Sequence, residues 1–314
     1  MKDVVCIGIL VADVISKPLL SLPEKGKLMP IDSITLHSGG CALSSAIDMS
    51  ILGLTSSVVG KVGADGFGNY LKSVLEKNNV NSNGLVMSDM SKTSASVVVV
   101  GKDSERSFIH AYGANAEFTY KDIDFDFIKQ HKITFITGVN LMASFDGKPC
   151  GKTVKKVKEM GATTVMDTAW DASGKWMELV EDSLPYLDYF IPSYDEASQI
   201  AKKKDPSDIA DVFMQHGVKN VVIKLGHKGC YVKSSDKKEY FIDNFKCTPI
   251  ETTGAGDAFS AGFITGLTKG WTIEQCCIFA NAVGALSVTK IGASTGIKSF
   301  EETLEFIKSQ NRMW

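Results

Sequence analysis

Residues 251–259 read Glu-Thr-Thr-Gly-Ala-Gly-Asp-Ala-Phe, and an apolar stretch with helical periodicity follows them. Because these side chains are so small, the N–H groups of Gly254, Ala255 and Gly256 can all turn toward one point. The positive end of the helix adds to these donors, so the turn suits a phosphate. Asp257 would lie beside that anion, where a carboxylate can accept the proton of an attacking hydroxyl. The alternative is a glycine-rich helix start whose acid only favours the helix dipole.

The overall composition predicts an ordinary soluble protein. The 314 residues include 34 basic and 36 acidic side chains, a formal net charge of −2, and 44% hydrophobic residues, enough for a sizeable core. This balance predicts no nucleic-acid partner and no membrane association. No apolar run approaches the roughly 20 residues of a membrane span, and the N-terminus lacks a signal-peptide layout. These two features predict a cytoplasmic protein, and seven scattered cysteines without metal spacing predict reduced thiols.

Short runs rich in valine and isoleucine alternate with longer amphipathic segments along most of the chain. This alternation predicts parallel strands joined by crossover helices, an α/β layered fold. Long helices are expected at 254–268, 272–289 and 300–308. Two stretches, 13–37 and 93–112, contain alternating β-type residues without helices between them. We expect both to form one small sheet, a lid that excludes water, within a single domain of 314 residues.

Two segments resemble signatures of the pfkB (ribokinase-like) family of carbohydrate and nucleoside kinases. The second signature is similar to Thr252-Thr253-Gly254-Ala255-Gly256-Asp257-Ala258-Phe259, and the first to Ser38-Gly39-Gly40-Cys41-Ala42-Leu43-Ser44-Ser45-Ala46. The resemblance covers essentially the whole chain. It implies a three-layer α/β/α fold with a mostly parallel sheet and a small β lid that often forms a homodimer contact. It also implies an ATP- and Mg²⁺-dependent kinase that phosphorylates a primary hydroxyl of a small sugar or related polyol.

Five residues are predicted to contact the substrate. Gly39 and Gly40 let the backbone approach a small ligand at a helix N-terminus, although a turn before a packed helix is the alternative. The family's sugar-binding Asn is replaced by Ser44, whose hydroxyl reaches less far. The resemblance implies that Asp13, just after the first predicted strand, accepts from two sugar hydroxyls; a turn-capping role is the alternative. For Asn115, a substrate contact and a loop-stabilising Asx turn are both open.

On the nucleotide side, Ile191-Pro192-Ser193-Tyr194-Asp195-Glu196 resembles the family's Asn-x-x-Glu segment. The resemblance implies that Glu196 acts through water on Mg²⁺ and the phosphates, which suits an ion that keeps most of its waters. Ser193 takes the place of the Asn. A helix-capping box between Ser193 and Glu196 is the alternative, and both roles are geometrically compatible.

A second nucleotide segment follows the strand that ends at Lys224 and Leu225. Gly226 and Gly229 resemble the glycines of the family's Thr-Leu-Gly-x-x-Gly loop and let the chain turn under the ribose and phosphates. Lys224 replaces the usual Thr, so it either adds a cation near phosphate or extends to solvent. Asn281 matches a position that lines the adenine pocket in relatives.

Glu251 stands where many relatives have Asp. In cation-activated members that Asp and the loop equivalent to residues 290–296 surround a monovalent cation. The resemblance therefore implies a K⁺ site here, which the additional methylene of Glu either reshapes or removes.

Two other functions stay open at this point. A nucleoside kinase on the same fold would need aromatic side chains near the substrate, for which the candidates are Phe108, His110 and Tyr112. A catalytically weakened protein that binds sugar or nucleotide is the alternative of another class. The departures from the family pattern at Ser44, Ser193 and Glu251 favour it, whereas Asp257 and the glycine turn argue against it.

Overall fold

The computed structural model describes residues 1–17, 23–101 and 106–312. The strands are β1 (Lys2–Gly8), β2 (Val11–Lys17), β3 (Ser33–Gly39), β4 (Ser56–Gly63), β5 (Asn81–Ser88), β6 (Ala95–Val100), β7 (Arg106–Ala111), β8 (His131–Val139), β9 (Thr163–Thr168), β10 (Tyr189–Phe190), β11 (Asn220–Lys224), β12 (Cys230–Lys233) and β13 (Glu239–Ile242). The helices are α1 (Cys41–Ile51), α2 (Gly66–Lys77), α3 (Gly113–Glu117), α4 (Phe125–Ile128), α5 (Lys148–Glu159), α6 (Met177–Val180), α7 (Tyr194–Ala201), α8 (Pro206–Gln215), α9 (Ala255–Thr268), α10 (Ile273–Ser287) and α11 (Phe300–Ser309).

Nine strands form the main sheet, in the order β13, β12, β11, β10, β9, β8, β1, β4 and β5. Neighbours from β11 to β5 pair in parallel, whereas β12 and β13 extend the edge in antiparallel pairing. Along β1, Val4 and Cys6 lie in one hydrophobic core, and Val5 and Ile7 lie in the other. Helices α1, α2 and α9 to α11 cover the first core, and α4 to α8 cover the second. The predicted three-layer, mostly parallel α/β fold is confirmed.

A smaller sheet of four strands, in the order β3, β2, β6 and β7, is built from the two stretches predicted to form a lid. β2 pairs with β3 in antiparallel and with β6 in parallel, so the two distant pieces of chain meet inside this sheet. β6 and β7 pair in antiparallel as a hairpin. Residues 18–22 and 102–105 of the predicted lid lie outside the described residues. We refer to this four-stranded sheet as the lid.

The chain crosses from the main sheet to the lid at Leu10, between β1 and β2. The N–H of Leu10 donates to Oδ1 of Asn115 at 3.3 Å, and its carbonyl accepts from Nδ2 of Asn115 at 2.9 Å. Asn115 is 3% exposed. The predicted Asx turn is therefore wrong, because the amide bonds the backbone of a distant segment rather than its own loop. The turn-capping alternative for Asp13 is wrong as well, since Asp13 lies inside β2.

All seven cysteines lie in the described part of the chain and are free, and five of them are buried. This agrees with the expected reduced thiols. Among the helices that the structure describes, none has the length and apolar content needed to cross a bilayer.

Asn115→Ala should lower the free energy of unfolding by about 2–4 kcal/mol, because a buried N–H and a buried carbonyl of Leu10 lose their partners. Urea denaturation would measure the change. Asn83→Ala is the control, since Asn83 is exposed on β5, and we expect its effect to stay within about 0.5 kcal/mol. Equal stability of the two variants would show that the Leu10 backbone does not depend on Asn115.

Candidate active site

A cavity of about 520 Å³ lies between the lid and the main part of the molecule. Its walls come from the lid, from α1, from the start of α9 and from the loop of residues 291–295. Asp13 and His37 line it on the lid, Ser44 lines it on α1, and Asp257 lines it on α9. The cavity therefore joins the residues predicted to bind substrate with the turn predicted to bind phosphate.

Gly39 and Gly40 precede α1 and line this cavity. A Cβ at Gly39 would lie 2.3 Å from Oδ2 of Asp13, so a larger residue would displace that carboxylate. Gly40 has a φ of 93°, and a Cβ there would lie 2.5 Å from a carbonyl oxygen. Ser44, in the second turn of α1, is 2% exposed. These residues are brought together as predicted, whereas Asn115 is not among the residues that line the cavity.

Asp13 lies beside polar and imidazole groups of the lid. Oγ of Ser96 and Nδ1 of His110 are hydrogen-bonded at 3.0 Å. Burial raises the pKa of Asp13, whereas the hydrogen bond from Ser96 and the charges of His110 and His37 act in the opposite direction. A carboxylate in this position can accept from two hydroxyls of a ligand.

The glycine turn lies at the start of α9, as predicted. Gly254 has a φ of 79°, and a Cβ there would lie 2.8 Å from Cα of Ala293, so only glycine fits against that loop. Within the described part of the chain, the N–H groups of Gly254 and Gly256 make no backbone hydrogen bond. The N–H of Ala255, in contrast, donates to the Thr252 carbonyl at 3.2 Å. Two of the three predicted donors are thus available to an anion in this structure.

Asp257 lies in the first turn of α9, at the wall of the cavity. Burial raises its pKa to about 7. Negative charge on Asp167 and Glu196 acts in the same direction, whereas the Lys224 ammonium and the Cys41 thiol act in the opposite direction. A carboxyl group with this pKa exchanges a proton easily at neutral pH.

Lys224 is buried among carboxylates at the carboxyl ends of the central strands. Its Nζ lies 2.5 Å from Oδ2 of Asp167 at the end of β9, and its side chain is 12% exposed. Although burial acts to lower its pKa, Asp167 and Glu196 raise it above the ordinary value, so the ammonium stays charged. The alternative in which Lys224 extends to solvent is therefore wrong. Asp167 was not predicted as a site residue, although an acid at the end of a buried strand was an available signal.

Ser193 and Glu196 form the capping box that was the alternative for this segment. Ser193 Oγ accepts from the Glu196 N–H at 3.4 Å, and Glu196 Oε2 accepts from the Ser193 N–H at 3.2 Å. Glu196 Oε2 also accepts from Oγ1 of Thr168 at 3.0 Å. The carboxylate is therefore fixed at the end of β9, close to Lys224.

The predicted nucleotide loop follows β11. Gly226 and Gly229 have φ values of 60° and 95°, and a Cβ at Gly229 would lie 2.0 Å from the Ile242 carbonyl oxygen. Asn281, which is 3% exposed, donates from Nδ2 to the carbonyls of Ile242 at 3.0 Å and Asp243 at 3.3 Å. Its amide N–H groups therefore support the chain after β13.

Glu251 contacts the loop that was predicted to share a cation with it. Its Oε2 accepts from the Gly292 N–H at 3.0 Å. The Glu251 side chain thus bonds the loop backbone directly. Among the described residues, no group of three or more His, Cys, Asp or Glu side chains is arranged to hold a metal ion.

Known proteins resemble the chain along almost its full length. A curated relative, the ribokinase of Haemophilus influenzae, is 27% identical over 321 residues, which cover 98% of this chain and 99% of that protein. The solved structure of Arabidopsis thaliana ribokinase complexed with ribose and ATP matches with a TM-score of 0.86 at 22% identity, covering 98% of this chain and 99% of that one. A structure from E. coli in complex with ATP and Mg²⁺ matches with a TM-score of 0.83 at 21% identity, covering 98% of this chain and 100% of that one.

The structural matches establish the fold, and a family model establishes the family. The model described as pfkB family carbohydrate kinase matches residues 1–299. This range includes both signature segments, the lid strands and the whole cavity wall. The chain belongs to the pfkB family of carbohydrate kinases and has the ribokinase-like fold.

Proposed function

We propose that this protein transfers the γ-phosphoryl group of ATP to a primary hydroxyl of a small sugar or related polyol. One observation carries the proposal: a single cavity is lined by Asp13 on the lid and by Asp257 beside the glycine turn of α9. A sugar held by Asp13 can therefore present a hydroxyl to Asp257 without leaving the cavity. Family membership supports the reaction class. A protein that only binds sugar or nucleotide would have no use for this acid beside an anion-binding turn.

Asp257 is the proposed general base. Because its pKa is about 7, a large fraction of the carboxyl is ionised at neutral pH and can accept the hydroxyl proton. The sugar oxygen then bonds to the γ-phosphorus, and the broken bond leaves its electron pair on ADP. The N–H groups of Gly254 and Gly256 stabilise the charge on the transferred group, together with the positive end of α9. Ala255 can join them only after its bond to Thr252 opens.

The loop of Gly226 and Gly229 is the proposed support for the ribose and phosphates of ATP. The complexes of two fold relatives with ATP favour this nucleotide. Glu196 would hold Mg²⁺ through water, and Ser193 orients Glu196 through the capping box. When bound, the ion would supply positive charge to the phosphates. Asn281 contributes indirectly, because it fixes the chain after β13 beside the adenine pocket.

The charge of the cavity favours a substrate without a phosphate group. Asp13, Glu251 and Asp257 line it, and among the described residues no lysine or arginine does so. A second phosphate on the sugar would enter beside these acids without a cation to offset its charge. We therefore propose an uncharged sugar or polyol as the substrate class.

A nucleoside is the second candidate substrate. Apolar side chains make up one part of the cavity wall, and they include Ile15, Ile51, Val74 and Val98. A nucleobase could bury its face there, whereas a sugar ring has many hydroxyls that would lose water against this wall. The aromatic candidates give less support: His110 and Tyr112 contact each other, with ring centroids 5.1 Å apart, and neither lines the cavity. The side chain of Phe108 lies outside the described part of the structure.

A homodimer through the lid is also proposed. Leu36, Val14, Val97 and Ile109 form one row across its four strands. Leu36, Val97 and Ile109 are 38%, 43% and 62% exposed, and burial against a second copy would remove this apolar surface from water. Activation by K⁺ near Glu251 and a cytoplasmic location both stay predictions.

Asp257→Asn should reduce kcat by about 10²–10⁴-fold, because the variant cannot accept the hydroxyl proton. Thermal denaturation should show little change in stability. Asp195→Asn is the control, since Asp195 is an exposed acid of α7 outside the cavity wall. Turnover by Asp257→Asn at the wild-type rate would exclude Asp257 as the base.

The pH dependence of kcat/KM gives an independent test of the same residue. Activity requires the ionised carboxylate, and burial raises the pKa of Asp257 to about 7. We therefore expect kcat/KM to rise with pH and to reach half its plateau near this value. Initial rates at constant ionic strength would measure the profile. A rate independent of pH across the neutral range would contradict the assignment.

A substrate panel tests the proposed class. With ATP and Mg²⁺, ADP release should be detected with uncharged sugars or polyols and not with sugar phosphates, because no lysine or arginine of the described residues lines the cavity beside a second phosphate. Nucleosides in the same panel test the second candidate. Turnover of sugar phosphates alone would contradict the charge argument, and no turnover with any compound would favour the binding protein.

A further inference from the structure

We infer that Asp167 and Ser260 hold the Lys224 ammonium against the first turn of α9, where it serves as a resident cation for the γ-phosphate of ATP. This inference rests on the proposed kinase function. It assigns a role to Asp167 and Ser260, which lie outside the two signatures. Lys224 is the proposed phosphate contact, and Asp167 and Ser260 are positioning residues.

The position of Lys224 relative to the glycine turn is the first argument. A Cβ at Gly256 would lie 3.3 Å from Nζ of Lys224, so the ammonium packs directly against the backbone whose N–H groups are proposed to bind phosphate. The backbone of Lys224 is also fixed, because its N–H donates to the Pro192 carbonyl at 3.0 Å. The charge therefore lies where a phosphate at the end of α9 can reach it.

Asp167 and Ser260 restrict where the ammonium can go. Asp167 Oδ2 lies 2.5 Å from Nζ of Lys224 and accepts from Oγ of Ser260 at 3.0 Å. The same Oγ lies 3.0 Å from the Gly256 carbonyl oxygen. Asp167 Oδ1 accepts from the Thr168 N–H at 2.9 Å. These bonds join the end of β9 to α9 and hold a flexible side chain in one place, which is what a preorganised charge requires.

The charges around Lys224 are the second argument. Three carboxyl groups face it, from three different elements: Asp167 from β9, Glu196 from α7 and Asp257 from α9. A γ-phosphate entering this acidic surrounding needs a cation, and lysine binds phosphate as a point charge. An ion pair retained only for stability would be a weak explanation, since buried ion pairs add little over apolar packing.

The test compares the affinities for a non-hydrolysable ATP analogue and for ADP, measured by calorimetry with Mg²⁺. Lys224→Met should weaken binding of the analogue about tenfold or more and leave that of ADP nearly unchanged, because only the analogue has a γ-phosphate. Asp167→Asn should also weaken binding of the analogue more than binding of ADP, by a smaller factor than Lys224→Met does. Lys224→Met should also lower kcat by about 10²-fold.

Lys233→Met is the matched control. The Lys233 side chain is 11% exposed and lies 2.6 Å from Asp211 and 2.9 Å from Glu239, but it does not line the cavity. We expect a loss of stability in this variant without a selective loss of the ATP analogue. An equal loss of affinity for the analogue and for ADP in Lys224→Met, or no loss of affinity for either, would overturn the inference. If the wild type binds the analogue and Lys224→Met loses that affinity selectively, but the wild type phosphorylates no compound, the proposed function would be refuted instead.

Discussion

The packing of α9 against the carboxyl ends of the parallel strands is the constraint on which the site depends. Across this junction, Lys224 on β11 and Ser260 on α9 both bond Asp167 on β9. Parallel strands end at one edge of a sheet, so their last side chains face the same space. Because α9 begins at that edge, the N–H groups of the glycine turn, the Lys224 ammonium and the carboxyl of Asp257 lie close together, as the proposed phosphate site requires.

The lid completes the site through a second constraint, the crossing of the chain at Leu10. Only two residues separate β1 of the main sheet from β2 of the lid. The Leu10 backbone would be unpaired in this gap, and the buried amide of Asn115 supplies both partners. This short crossing holds Asp13 close to Gly39 and opposite α9. Asn115, which was predicted to bind substrate, thus fixes the start of the strand that carries Asp13, the proposed substrate-binding residue.

Much of the fold could be predicted because its signals are local. The alternation of strands and helices predicted the layers, and the three helices expected at the C-terminal end correspond to α9, α10 and α11. The glycine turn and Asp257 were predicted because adjacent residues must share the first turn of a helix. Asp167 was not predicted as a site residue, because nothing near it in sequence marks its partner, Lys224, which is 57 residues away. The bonds of Asn115 to the Leu10 backbone were not predicted for the same reason, since this partner lies 105 residues away.

The sequence by itself determined the family, the layered fold and the presence of an acid beside a glycine turn, because each follows from the spacing of neighbouring residues along one backbone. Only the tertiary structure decided which side chains serve that turn. In the tertiary structure, Lys224 pairs with Asp167 rather than extending to solvent, and Asn115 bonds the backbone of Leu10. The physical reason is that burial and pairing depend on which strands are neighbours in the sheet, and the order of the chain does not state this.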